Sequence, residues 1–210
     1  MTLRDDRREV ATLLRQLGHE FVAHELPAAT LSTMRGELQR MLELIRESPP
    51  RRRVPLSDTN LHAFALGVPD QSVIEHQQLF GDSLVSGAAN PLGLGARLWR
   101  DGDAAVLEVS LGPAFEGAPG RAHGGVVAAL IDETMGIVLV LHGQLAFTVH
   151  LQVAYRAPTP VGELLVARAH LVERDGRKLT IEAVVHCGEL LVAEATALFI
   201  AANAATVLAP

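Results

Sequence analysis

The chain has 210 residues, room for one domain with a sizeable core plus an accessory segment and too few for two full domains. Apolar residues make up 49% of it and aromatic ones 4%, so the core must be built from Ala, Val and Leu rather than from rings. A net charge of −6, with basic residues thinly spread outside Arg51-Arg52-Arg53, lacks the electrostatic footprint of a nucleic-acid binder.

The lone Cys187 rules out an intramolecular disulfide or a thiolate metal cluster and fits a reducing compartment. The opening MTLRDDRREV carries charges where a secretory signal needs an apolar core, and no run of about 18 uncharged apolar residues follows. The expectation is a soluble, cytoplasmic protein with no membrane insertion.

Residues 3–47 repeat apolar positions at helical spacing: Leu13, Leu14, Leu17 and Phe21, then Leu38, Met41, Leu42 and Ile45. Two helices are predicted, separated by Pro27 and ended by Ser48-Pro49-Pro50, with their apolar stripes packed against their own core or a second subunit. Residues 51–92 lack sustained periodicity and are rich in Pro and Gly, the signature of a linker with short ordered pieces.

From Gly93 the texture changes to strands divided by turn signals. Residues 95–100 and 104–111 flank Asp101-Gly102-Asp103, a hairpin signature, and a glycine-rich loop covers 112–120. An apolar helix over 124–141 follows, then strands over 146–157, 163–174, 179–186 and 190–201, joined through Asp175-Gly176 and Gly188-Glu189. The order ββαββββ with short turns predicts an α+β domain in which a mainly antiparallel sheet wraps a helix apolar nearly all round. The division expected is a helical extension and linker over 1–87 and the sheet domain over 88–203.

Within the second part stand Gly117-x-Pro119-Gly120-x-x-His123-Gly124-Gly125, then Asp132, Thr148 and Tyr155-x-x-Pro158, preceded by Asn90-Pro91-x-Gly93-Leu94. In this order of elements the combination resembles the hotdog-fold acyl-CoA thioesterases of the phenylacetate-pathway (PaaI-like) and thioesterase-superfamily type, over about residues 88–201. The resemblance implies a hotdog fold, an acyl-CoA substrate, hydrolysis without a cofactor, and a homodimer or a tetramer built from it. It also implies that the Thr148 hydroxyl holds the water or the carboxylate. Some members carry an Asn six residues before the His; this chain has Gly117 there, so a substrate contact by that Asn is not carried over.

Thioester hydrolysis needs donors for a developing oxyanion and a carboxylate that activates water or attacks the carbonyl carbon. Gly124 and Gly125, without a Cβ and at a helix start, offer N–H groups that lack an intrahelical acceptor. Asp132 supplies the carboxylate, as general base or as nucleophile; in apolar surroundings its charged form is disfavoured, which strengthens it as a base. His123, orienting the glycine loop by hydrogen bonding, Asn90 and His150 complete the expected substrate contacts, His150 because alternation along a strand places it on the face of Thr148. Glu133, about 100° round the helix from Asp132, is expected to meet a polar neighbour or the interface.

Seven residues separate Gly125 from Asp132, roughly 10 Å along a helix axis. One carbonyl cannot touch both, so a shared thioester requires the glycines of one subunit and Asp132 of another across a two-fold axis. No G-x-S-x-G, no phosphate-binding glycine loop and no His pair at metal-ligand spacing occurs, which leaves serine hydrolysis, nucleotide binding and metal sites without a basis. Two other readings use the same scaffold: a non-catalytic acyl-thioester-binding or assembly protein, and a hotdog hydratase or dehydratase. Acyl length, and coenzyme A against acyl carrier protein, stay open.

Overall fold

The computed structural model describes residues 3–51 and 81–202, so most of the expected linker, with Arg52 and Arg53, lies outside the described residues. The N-terminal part forms α1 (Leu3–Ala23) and α2 (Ala28–Arg46), broken at Pro27 as the sequence predicts. Their apolar stripes do not meet the core. Leu13, Phe21, Met41, Leu42 and Ile45 are all at least half exposed, and α2 buries no residue. What α1 turns inward is Ala11, with Arg15 and His19 beside it at intervals of four residues. Arg15 Nη1 donates to the carbonyls of Asn90 at 2.7 Å and Ala88 at 3.2 Å. Arg15 and the buried Ala11, not the apolar stripe of Leu13 and Phe21, therefore face inward where α1 docks.

The remaining elements are β1 (Arg97–Asp101), β2 (Ala104–Ser110), a 3₁₀ turn (Pro113–Phe115), β3 (Glu116–Ala118), β4 (Arg121–Ala122) and α3 (Gly124–Leu141), then β5 (Ala146–Tyr155), β6 (Leu164–Asp175), β7 (Lys178–Cys187) and β8 (Leu190–Ala201). The first strand starts two residues later than expected because Gly95 has φ 74°, outside the range of an extended strand. Three hairpins, β1–β2, β6–β7 and β7–β8, close through two-residue turns opening on Gly102, Gly176 and Gly188, each with positive φ. A small β3–β4 hairpin begins within the expected glycine-rich loop and ends just beyond it.

Six strands form one antiparallel sheet in the order β1-β2-β6-β7-β8-β5. The connection from β2 to β5 crosses the whole sheet, and α3 is that connection, packing on β2, β6, β7 and β5. This is the expected α+β hotdog arrangement. The core is aliphatic, as the composition requires: Leu107, Leu111, Leu130, Ile131, Met135, Leu165 and Ile181 are fully buried with Phe199. Val85, just before the predicted domain start, is buried in that core too. Although long and apolar enough to cross a membrane, α3 is the central helix of this core, with 56% of the span buried.

Candidate active site

The start of α3 is fixed from three directions. His123 is its N-cap, with φ −63° and ψ 130°, and its Nδ1 accepts the Gly125 N–H at 3.0 Å. The His123 N–H donates to the Phe115 carbonyl at 2.8 Å, and its own carbonyl accepts from Val126 at 2.9 Å. Tyr155 donates its hydroxyl to the Gly124 carbonyl at 2.7 Å. The Gly124–Gly125 peptide is thus held at its oxygen by Tyr155 and at its N–H by His123.

This corrects the expectation that both glycine amides face a ligand. The Gly125 N–H is taken by the imidazole, whereas the Gly124 N–H, first in the helix, has no intrahelical acceptor. Gly124 lines a cleft of about 350 Å³ with Arg121, Val127, Tyr155, Arg156 and Thr159. A Cβ at Gly124 would come within 3.3 Å of the Tyr155 ring and hydroxyl, and one at Gly125 within 3.1 Å of the His123 ring. Gly117 is as constrained: a Cβ there would lie 2.9 Å from His123 Cα, so this hairpin has no room for a side chain.

Asp132 and Thr148 meet as expected: Thr148 Oγ1 donates to Asp132 Oδ1 at 2.9 Å. Asp132 is half-buried and Thr148 exposed, so in the single chain the carboxylate does not stand in the apolar burial that the helix sequence predicts. The reason is that α3 leaves one stripe open, with Gly125, Ala129, Asp132 and Gly136 at helical spacing and none fully buried. Its small residues leave the carboxylate reachable from outside.

Two expected contacts are placed elsewhere. A β-bulge at Val149 sets Thr148 opposite Phe199 but His150 opposite Leu198. Phe199 and Leu198 are consecutive on β8 and point to opposite faces, so the extra residue turns His150 away from the face of Thr148. Asn90 is committed to its own turn: Oδ1 accepts from Leu92 N–H at 2.9 Å and Nδ2 donates to the Asp82 carbonyl at 3.1 Å. It is not among the residues lining the cleft.

Glu133 finds the polar neighbours its position demands, accepting from Ser83 Oγ at 2.6 Å and from Ser86 Oγ. Those contacts fasten the segment before β1 to α3. Tyr155 is a site residue that sequence reasoning left without a role, although the Tyr155-x-x-Pro158 spacing singled it out. Among the described residues no group of three His, Cys, Asp or Glu side chains converges as a metal set.

With this geometry in view, residues 119–200 match the family model described as the Thioesterase superfamily. The match lies within the sheet domain. Acyl-coenzyme A thioesterase THEM4 of Mus musculus is 36% identical over 88 residues, covering 41% of this chain and 38% of the mouse protein. The Bos taurus THEM4 is 29% identical over 136 residues, covering 62% and 56%. The chain therefore spans less than two thirds of the length of these relatives. Among solved structures, a thioesterase superfamily protein superposes with TM-score 0.76 at 23% identity, covering 92% of this chain and 90% of its own. The Escherichia coli PaaI protein from the phenylacetic acid degradation operon gives 0.50 at 17% identity, covering 52% and 81%. At these identities both are likenesses of fold. The wider one takes in more of this chain than a thioesterase superfamily domain alone.

Proposed function

We propose that this chain is an acyl-CoA thioesterase whose site is completed by a second copy of itself. The observation that carries the reading is the Asp132–Thr148 pair on the one open stripe of α3, at 2.9 Å, with an uncommitted helix-terminal amide at Gly124 elsewhere on the same helix. The names of the THEM4 relatives supply the substrate class. A binding module has no use for a carboxylate held by a hydroxyl at a solvent-open face.

The substrate carbonyl oxygen lies against the Gly124 N–H, where the helix dipole favours the charge that develops on it. Asp132 of the partner copy takes a proton from water as the water oxygen bonds to the carbonyl carbon. The tetrahedral adduct then collapses, the C–S bond breaks, and the thiolate leaves with the proton that Asp132 holds. Thr148 fixes the carboxylate by donating to Oδ1, leaving Oδ2 for the water. The Tyr155 bond to the Gly124 carbonyl and the His123 cap hold the helix start rigid, so the donor needs no reorganisation. Arg121 at the cleft provides positive charge for the phosphates of coenzyme A, while Arg156 beside it is paired with Glu194.

The test is free-thiol release from acyl-CoAs of graded chain length, with Asp132→Asn as control. Wild-type activity on at least one member, abolished in Asp132→Asn, is expected. Mixing Asp132→Asn with a Gly124→Pro variant should restore part of the activity in heterodimers; mixed dimers as dead as either parent would sink the shared site. Transfer of ¹⁸O from labelled water into Asp132 during turnover separates direct attack by the carboxylate from general-base catalysis.

A further inference from the structure

We propose that α1 is a working part of this site, with His19 as a positioning residue that acts on the start of α3 through the Pro113–Phe115 turn. The proposal rests on the thioesterase reading for its kinetic consequence, but the coupling itself is structural and is measured separately.

His19 Nδ1 accepts the Ala114 N–H at 3.2 Å, and its ring meets Phe115 edge-on, with centroids 5.1 Å apart and planes at 75°. The ring lies over Gly112, where a Cβ would be 2.5 Å from Nδ1, so the glycine makes the space that the imidazole fills. The turn beneath is closed by the Phe115 N–H on the Gly112 carbonyl at 3.0 Å. The carbonyl of that same Phe115 accepts the His123 N–H at 2.8 Å, and His123 in turn caps Gly125 at 3.0 Å.

A continuous run of contacts therefore leads from α1 to the peptide beside the proposed oxyanion donor. Each link is a directional hydrogen bond or an aromatic edge contact, which transmits a change in orientation where loose apolar packing would absorb it. Arg15, one turn earlier, anchors α1 independently on the Asn90 and Ala88 carbonyls, so loss of His19 alone leaves the helix attached. The inward stripe of α1 also makes sense on this basis. A helix present merely to cover apolar surface would turn Leu13, Leu17 and Phe21 inward, whereas these are exposed and His19 faces the turn.

The test uses the full chain with two perturbations from opposite sides of one contact. His19→Ala removes the acceptor. Gly112→Ala evicts the ring at little backbone cost, because Gly112 has φ −83° and the atoms its Cβ meets belong to a side chain. Each should lower kcat about five-fold with KM within two-fold, and speed amide hydrogen exchange across residues 113–125 by a similar factor. His19→Asn, whose Oδ1 occupies the place of Nδ1, should recover most of both, and Leu13→Ser on the exposed side of α1 should change neither. Wild-type kcat and exchange in both His19→Ala and Gly112→Ala, or an Asn variant no better than Ala, would overturn the proposal. A wild-type protein that releases no thiol from any acyl-CoA would defeat the thioesterase reading instead, and the exchange measurement would then decide the coupling alone.

Discussion

Thr148→Val is the cleanest probe of the carboxylate. Valine keeps the shape and β-branching of threonine, so β5 retains its strand preference and its bulge, while the donor to Asp132 Oδ1 at 2.9 Å is lost. Hydrogen bonds to charged groups contribute about 1.5–3 kcal/mol. Thr148 is exposed and water can replace part of the bond, so the low end applies; ~1.5 kcal/mol of lost orientation corresponds to roughly a ten-fold fall in kcat. KM should barely move, because the hydroxyl bonds the carboxylate and not the acyl chain. Thr148→Ser keeps the donor and should stay within about three-fold of wild type. Steady-state thiol release on the most active acyl-CoA reads both constants, and the thermal midpoint checks that the fold is intact. A Val variant with the wild-type kcat, or a loss lying wholly in KM, would show that Thr148 is an ordinary strand residue.

Three further outcomes are expected. Gly117→Ala drives a Cβ to 2.9 Å from His123 Cα, an atom of the backbone that cannot swing aside, and should cost about 1–3 kcal/mol, seen as a lower urea midpoint at unchanged slope; an unaltered midpoint would refute the close approach. Burial holds His19 below its ordinary 6.5, opposed by Glu20 and reinforced by Arg15. The unfolded chain therefore takes up a proton in a range where the folded one does not, and the His19 contribution to stability is complete above pH 6.5 and lost as pH falls through the lower folded value. The difference in thermal midpoint between wild type and His19→Ala should shrink on acidification, and a constant difference would exclude this titration. Gln152→Cys, near the middle of the β5 edge, should form an intermolecular disulfide under mild oxidation, while Arg97→Cys on the opposite edge strand should not; the reverse pattern would rule out pairing through β5.

Much of the fold was legible because its signals are local. Glycine at three hairpin corners, prolines after α2 and β5, and the long apolar run of α3 each act within a few residues, and those elements appear where the sequence predicts them. The Asp132–Thr148 pairing was legible only through the family resemblance, which implied a hydroxyl beside the water or the carboxylate. What failed depends on distant partners. Alternation puts His150 beside Thr148 unless the ladder slips, and the slip at Val149 belongs to the pairing with β8, some fifty residues away. The apolar stripe of α1 misled for a similar reason: the docking face is decided by the carbonyls of Ala88 and Asn90 and by the Ala114 amide, none of which leaves a trace in helical periodicity. Asn90 looked like a ligand contact because a turn-forming Asn and a binding Asn are the same residue in a sequence.

Both halves of the proposed site hang on one strand. β5 contributes Thr148 near its start, to Asp132, and Tyr155 at its end, to Gly124, so it runs along α3 from the carboxylate to the helix tip. Along the helix these halves are about 12 Å apart, beyond the reach of a single carbonyl. Among the described residues β5 is also an edge of the sheet, with Phe147 and Val149 more than half exposed, and an apolar edge strand favours pairing with another strand. In the dimer we propose, antiparallel pairing of two β5 edges about a two-fold axis near Leu151 and Gln152 would lay the Thr148 end of one copy against the Tyr155 end of the other. In that proposed dimer the single operation would cover the exposed edge and bring each Asp132 towards a foreign Gly124. On that reading, one neighbour would account for the open stripe on α3, the β5 edge and the separated half-sites together.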